Sequence, residues 1–388
     1  EGSSIDPNFW ALGKDTASGV QYLIPSFNAF GPTRHTFAYR GDWLETLGLD
    51  VPETLDDFEE WMVAVRNGDP NGNGERDEFG YTSGTNQTVP MFAEIFAAFG
   101  VMPFQYHVQD DGLVSVGAVQ PEAKEALAVL ADWYARDLMP RGILTTTTGD
   151  DDFYAGRVGT LGAARAYAPH LLPGGRVYEG LQGTEGATIV ASHGPIGPRG
   201  DFGTWANGPR KYLTGFGAQL RDDEETVRLL MRMLETIATE RELYEMATFG
   251  EQGVHWDFTD PATETGFAWL GDYNDFNFRL NEVGVREVSE SAFSPIWVED
   301  IYNRYMDPVA LEFASQNPGI WDPMLGISSE VAREYQTDLW NLTQATYIEI
   351  IRGERPLDYF DEYVEIWMEN GGAELIQAQT ALYNQLFN

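Results

Sequence analysis

Between residues 69 and 80 the chain reads DPNGNGERDEFG, with acidic or amide side chains at alternate positions and glycines between them. Oxygen donors spaced in this way suit Ca²⁺, which takes six to eight hard oxygens from a loop that glycine allows to turn sharply. Asp69, Asn71 and Asn73 stand at positions 1, 3 and 5 of such a loop, and Gly74 at the turn. Glu75, at position 7, offers its main-chain carbonyl, and Asp77 stands at position 9. An EF-hand asks for glutamate at position 12, where this chain has Gly80, so Glu78 at position 10 has to close the shell. One loop supplies every donor, which gives the ion a structural role and leaves little of it open to a substrate. Asn, Asp and Gly are also ordinary turn residues, so a solvated Asn-Gly turn without metal is the alternative.

Other chemistry is poorly supported. Cysteine is absent, which removes disulfides, thiol nucleophiles and Cys-ligated zinc. The five histidines, His35, His107, His170, His193 and His255, show no zinc-binding spacing. Ser192-His193 lacks the GxSxG elbow of a serine hydrolase. The glycines of 156–162 are followed by no lysine in P-loop register, so a nucleotide site is not indicated. Among 61 acidic residues a glycosidase-like pair could always be chosen by hand, and carries no weight.

The elements around the loop are legible. The chain has 388 residues, enough for two or more lobes, with 43% hydrophobic and 13% aromatic residues to fill their cores. Residues 20–39 read as extended segments broken at Pro25 and Gly31-Pro32. A helix is predicted from Gly41 to Leu47, and a second from Thr54, where TLDD offers an N-cap with an acid three residues on. Its apolar face is Leu55, Phe58, Met62 and Val65, and the acidic loop follows directly. VPMFAEIFAAFG is apolar nearly all round and reads as a buried helix. Pro121 opens another, with Leu127, Leu130, Tyr134 and Leu138 on one face. Short strands are predicted near 158–162 and 212–220, one long amphipathic helix over 222–247, and helix from Ser328 to Leu386 broken at RGERPLDYF. The fold class is α/β. No apolar run reaches the ~18 residues of a membrane span.

Net charge is −37, with Lys14, Lys124 and Lys211 the only lysines among 24 basic residues. Phosphate recognition needs a basic footprint, so nucleic acid and anionic membranes are poor partners. An acidic, lysine-poor surface suits high salt, where screening relieves self-repulsion; an acidic secreted protein from an arginine-rich genome has the same composition. Two of the eleven tryptophans lie in polar loops, Trp205 in GDFGTWANG and Trp256 in GVHWDF. Flat rings in a groove pack on the C–H faces of sugars, which makes these two candidate saccharide contacts. Trp61 and Trp133, on helices, read as core.

Several stretches together resemble the extracellular solute-binding proteins, family 1, of ABC importers, in the branch of alginate-oligosaccharide binders and glycan-uptake lipoproteins. They are YRGDWLETLGLDVPETLDDFEEWMVAVRNGDPNGNGERDEFGYT, PEAKEALAVLADWYARDLMP, FYAGRVGTLGA, GPIGPRGDF, FGEQGVHW and the run from EIIRGERPLDYF to ALYNQL, in family order over about residues 18–388. The resemblance implies a helix-rich, two-lobe periplasmic-binding-protein fold of type II that closes on an oligosaccharide and delivers it to a membrane permease. It implies no catalysis, a monomer, and an extracytoplasmic or lipid-anchored location. It also implies a structural Ca²⁺ held at Asp69, Asn71, Asn73, Glu75 (main chain), Asp77 and Glu78. Tyr22, Asn28, Arg40 and Tyr81 fall near the expected lobe crossover and second lobe, although Arg40 could instead pair with Asp42.

Family members carry ~100 or more residues before the segment matching VQYLIP, a length that domain sizes also favour. The first lobe is therefore expected to be incomplete. The expected division is 1–37 as its remnant, 38–205 as lobe two, 206–285 as the return to lobe one, and 286–388 as a helical part packed on lobe two. A calcium-stabilised polysaccharide hydrolase or lyase is the alternative from another class.

Overall fold

The computed structural model describes residues 10, 12–15, 18–27, 35–81, 83, 91–109, 111–142, 150–162, 171, 176–206, 208, 210–275, 278–279, 281, 284 and 308–387. The chain divides into two compact units. One comprises residues 1–31 and 209–311 with residue 387, and the other residues 32–208 and 312–386 with residue 388. The expected division at 286 falls in 285–307, outside the described residues.

The larger unit is built round the strand Phe37–Arg40, whose four residues are all buried. It is the middle strand of three, antiparallel to Thr160–Leu161 on one side and to Ile189–Ser192 on the other. The helix Gly41–Leu47 follows it and ends at Gly48, whose φ of +66° is a left-handed stop suited to glycine. The helix Leu55–Asn67 opens with the expected capping box. The Thr54 side chain accepts from the Asp57 N–H, and Asp57 Oδ2 accepts from the Thr54 N–H at 2.9 Å. These bonds hold the Asp57 carboxyl below the usual carboxylate range. Phe58, Trp61, Met62 and Val65 of this helix are buried. Phe58 and Trp61 meet Phe37, Tyr39 and Trp133 in a lattice of rings with centroids 5.4–6.3 Å apart.

The helix Pro121–Ala135 begins at its proline and is packed against the long helix Glu330–Ile351. Tyr347 and Tyr363, from the C-terminal helices, both donate to the Ala118 carbonyl, at 2.8 and 3.4 Å. The predicted helical run from 328 appears as Glu330–Ile351, Tyr359–Trp367 and Ala373–Phe387. The second break was not anticipated. Gly371 takes φ +103°, and a Cβ there would lie 2.5 Å from the Tyr335 ring.

The smaller unit pairs Ile24–Phe27 with Arg210–Thr214 in an antiparallel ladder with one irregularity. The single helix expected over 222–247 is two, Glu224–Thr239 and Arg241–Phe249, because Glu240 is extended. Thr236 and Thr239 hydroxyls donate back to the Arg232 and Glu235 carbonyls at 2.7 and 2.8 Å, a competing bond that weakens a helix end. The short strands Trp256–Asp257 and Ala268–Trp269 pair beside these helices.

Basic side chains are drawn into pairs. Arg136 reaches both Glu59 and Asp132, and Lys124 reaches Asp361 at 2.7 Å. With 61 acidic against 24 basic residues, the acids outnumber the side chains that could neutralise them. Raising NaCl from millimolar to molar, which shortens the Debye length to ~3 Å, is expected to raise the melting temperature. A melting temperature flat across that range would remove the high-salt reading.

Candidate functional site

The acidic loop leaves the helix Leu55–Asn67 at Gly68 and folds on its own oxygens. Asp69 Oδ1 accepts from the Asn73 N–H at 3.0 Å, and Oδ2 from the Gly74 N–H at 2.9 Å. Asn71 Oδ1 accepts from the Asn73 N–H at 2.9 Å, and Asn73 Oδ1 from the Glu75 N–H at 2.7 Å. Asn73 Nδ2 donates to Asp77 Oδ1 at 3.3 Å. Gly72 and Gly74, at φ +72° and +89°, allow the reversal. Asp69, Asn71, Asn73 and Asp77 thus form one network, with the exposed Glu75 on its outer side.

Glu78 stands apart. It is wholly excluded from solvent, and neither carboxylate oxygen has a hydrogen-bond partner of good geometry. Burial pushes its pKa up, the negative charges of Asp77 and Asp69 push in the same direction, and the nearby main-chain N–H groups of Glu78 and Asp77 pull it partly back. A carboxylate without partners is costly to bury, and a divalent cation supplies the missing one. Among the described residues no three His, Cys, Asp or Glu side chains already stand together as a metal cluster. The donor types fit calcium, and the partnerless Glu78 carboxylate is the feature that a cation would satisfy.

The loop is anchored at both ends. Arg66 Nη2 pairs with Asp137 Oδ2 at 2.7 Å, its Nη1 donates to the Arg76 carbonyl, and its guanidinium lies 4.7 Å from the Phe79 ring. Arg66 also holds the Asp137 carboxyl below its ordinary pKa. Phe79 exchanges main-chain bonds of 2.9 Å with Arg157 and Gly159. Trp61 Nε1 donates to the Gly80 carbonyl at 3.2 Å.

The saccharide candidates separate by burial. Trp205 is half-buried, in the strand Thr204–Trp205, which runs parallel to Gly319–Ile320. Its indole packs against Ala93, Ala97 and Met102, and its carbonyl is held by His35 Nδ1 at 3.0 Å. Tyr22 is 64% exposed. The expectation for Trp256 is corrected. It is 3% exposed, stacks on Phe267 at 5.2 Å and packs with Tyr244, Phe249 and Phe258, so it is core. Tyr81 is wholly buried among Phe37, Phe58 and Phe92, and Arg40 is 2% exposed and held bidentately by Asp42 at 2.6 and 2.9 Å. Neither has surface to offer a sugar. Asn28 lies outside the described residues.

Two residues escaped the sequence reading. Trp321, 43% exposed, follows the strand Gly319–Ile320 and lies over Gly208, where an added Cβ would be 3.0 Å from the indole. Ligands of α/β sheets favour the carboxyl ends of parallel strands, where Trp205 and Trp321 both stand. Glu94 is wholly buried, accepting from Thr204 Oγ1 at 2.8 Å and from the Tyr81 hydroxyl at 3.5 Å. Burial raises the Tyr81 and Tyr39 pKa values, and the negative charge of Glu94 adds to the shift. A lone acid in VPMFAEIFAAFG was the available signal.

No protein-family model matches the chain. Over 361 residues it is 22% identical to lipoprotein LipO of Bacillus subtilis, covering 89% of this chain and 68% of LipO. A stretch of 116 residues is 37% identical to the fructooligosaccharide ABC transporter substrate-binding protein FusA of Streptococcus pneumoniae, covering 29% of this chain and 20% of FusA. An extracellular solute-binding protein from Bifidobacterium longum subsp. infantis superposes with a TM-score of 0.66 at 17% identity, over 99% of this chain and 80% of that one. FusA in complex with kestose gives 0.66 at 18% identity, over 98% and 79%. The chain is thus similar, along most of its length, to extracellular solute-binding proteins. Its helix-rich α/β fold is that of two-lobe solute-binding proteins. A structure of FusA altered in an EF-hand is also among the neighbours, at a TM-score of 0.65 and 17% identity over 98% of this chain and 79% of that one. Among the described residues no helix is long and apolar enough to cross a membrane.

Proposed function

We propose that this protein is the extracytoplasmic binding component of an ABC importer, taking up an oligosaccharide and passing it to permease subunits without altering it. The observation that carries the reading is the match to solute-binding proteins along nearly the whole chain, at 98% of it for FusA and 99% for the Bifidobacterium protein. The half-buried Trp205 and the exposed Trp321, at the ends of a parallel strand pair, agree with it. We read the two compact units as the two lobes, and residues 69–78 as a structural calcium loop with Asp69, Asn71, Asn73, the Glu75 carbonyl, Asp77 and Glu78 as donors. Calcium there would neutralise and crosslink the loop, which has no part in ligand chemistry. Trp205 and Trp321 are the sugar contacts we assign in the larger unit, and Tyr22 stays a candidate in the smaller.

The test is calorimetry against a panel with kestose as a neutral probe and an oligogalacturonide as an acidic one, with the products checked for cleavage. Binding without cleavage supports the reading, and cleavage overturns it. Trp205→Ala is expected to weaken binding by more than about tenfold, the usual effect of losing an aromatic anchor. Affinity equal to wild type would remove Trp205 from the contacts.

A further inference from the structure

We propose that Glu94 is a positioning residue for the Trp205 indole, acting through Thr204. Its importance for ligand binding rests on reading Trp205 as a saccharide contact. Glu94 is the one charged side chain in an apolar run, it is wholly excluded from solvent, and it lies where four segments meet. Tyr81 donates to Oε2 at 3.5 Å and Thr204 to Oε1 at 2.8 Å. Two glycines make room for it. A Cβ on Gly162 would fall 3.0 Å from Oε2, and one on Gly194 would fall 3.1 Å from the Glu94 Cβ. A carboxylate is a costly way to fill a core, and a hydrophobic residue of similar size would serve packing better. What a carboxylate adds is direction, because its charge-assisted hydrogen bonds are short and oriented, as the 2.8 Å bond from Thr204 is.

That direction falls on the strand carrying Trp205. The helix Ala93–Ala97 bears both Glu94, which holds Thr204, and Ala93 and Ala97, on which the Trp205 indole packs. The flanking main chain is fixed as well. The Thr204 N–H donates to the Pro318 carbonyl at 3.0 Å and the Ala206 N–H to the Ile320 carbonyl at 2.9 Å. His35 closes the set on the Trp205 carbonyl. One short helix thus sets both the backbone and the ring of Trp205. An indole held in one orientation before binding loses less freedom when a sugar stacks on it.

The experiment compares Thr204→Val, which removes the hydroxyl at nearly constant shape, with Thr204→Ser, which restores it. Near-ultraviolet circular dichroism is recorded for each variant with and without Trp205→Phe, so that the difference isolates the Trp205 signal. The Trp205 band is expected to collapse in Thr204→Val and survive in Thr204→Ser, with affinity for whichever panel saccharide binds falling about tenfold in the valine variant only. A merely structural bond would move the melting temperature and leave the band. An unchanged band in Thr204→Val overturns the proposal. Should that variant fail to fold, Glu94→Gln, which keeps size and one acceptor, is read the same way against wild type. If the panel saccharides bind Trp205→Ala as well as wild type, or none binds wild type, the saccharide reading falls, and the band still decides the positioning.

Discussion

Trp256→Ala is expected to cost about 3–5 kcal/mol of stability, the range for removing a large aromatic from a packed core. The ring is 3% exposed, stacks on Phe267 and donates from Nε1 to the Gly250 carbonyl at 3.2 Å. Tyr244 and Phe258 are the other buried members of that cluster, so little else could take up the loss. Saccharide affinity per folded molecule should not change, since the indole has no free face. Melting and calorimetry on the same variant check both halves. A variant that melts like wild type but binds weakly would restore Trp256 to the ligand contacts.

The second large effect is that of calcium. At a cation concentration 100-fold above Kd, binding to the native state adds about 2.7 kcal/mol, equivalent to about 5–10 °C in melting temperature for a domain of this size. Chelation with EDTA should remove that increment, and Asp69→Ala should make the protein indifferent to both. Glu78→Gln separates a cation site from an ordinary turn by its sign. Without calcium the neutral amide replaces a buried carboxylate that has no partner, so the variant should be as stable as wild type or more so. With calcium it should be less stable, having lost a charged donor. Two melting curves that do not cross over between EDTA and calcium, or a wild type that ignores EDTA, would leave residues 69–78 as a solvated turn.

Local features were the ones legible in the sequence. The capping box of Thr54 and Asp57, the proline start at Pro121 and the buried face of Phe58, Met62 and Val65 depend on residues a few positions apart. So does the Arg40–Asp42 pair. Strands of two residues, such as Thr204–Trp205, carry no periodicity to read, and their partners come from distant sequence. Trp256 was misjudged because its immediate neighbours are polar. Its cover comes from Phe249, Phe258 and Phe267, so aromatic density over twenty residues was the better guide. Tyr81 failed similarly, being enclosed by rings from Phe37, Phe58 and Phe92. Trp321 escaped notice because its support is the bare backbone of Gly208, more than a hundred positions away.

The Ala118 carbonyl takes hydrogen bonds from Tyr347 and Tyr363, which follow it by 229 and 245 residues. Strand Gly319–Ile320 likewise completes a ladder begun at Thr204–Trp205. The larger unit therefore cannot close its core during the first part of its own synthesis. Until the last helices emerge, the face of Pro121–Ala135 that receives Glu330–Ile351 is bare. Contacts of such long sequence separation slow folding, because loop closure must come before they form. For some time after translation begins the chain is thus an open, aggregation-prone polymer. Its high negative charge then works in its favour, keeping unfinished copies apart through the same repulsion that strains the finished fold at low salt.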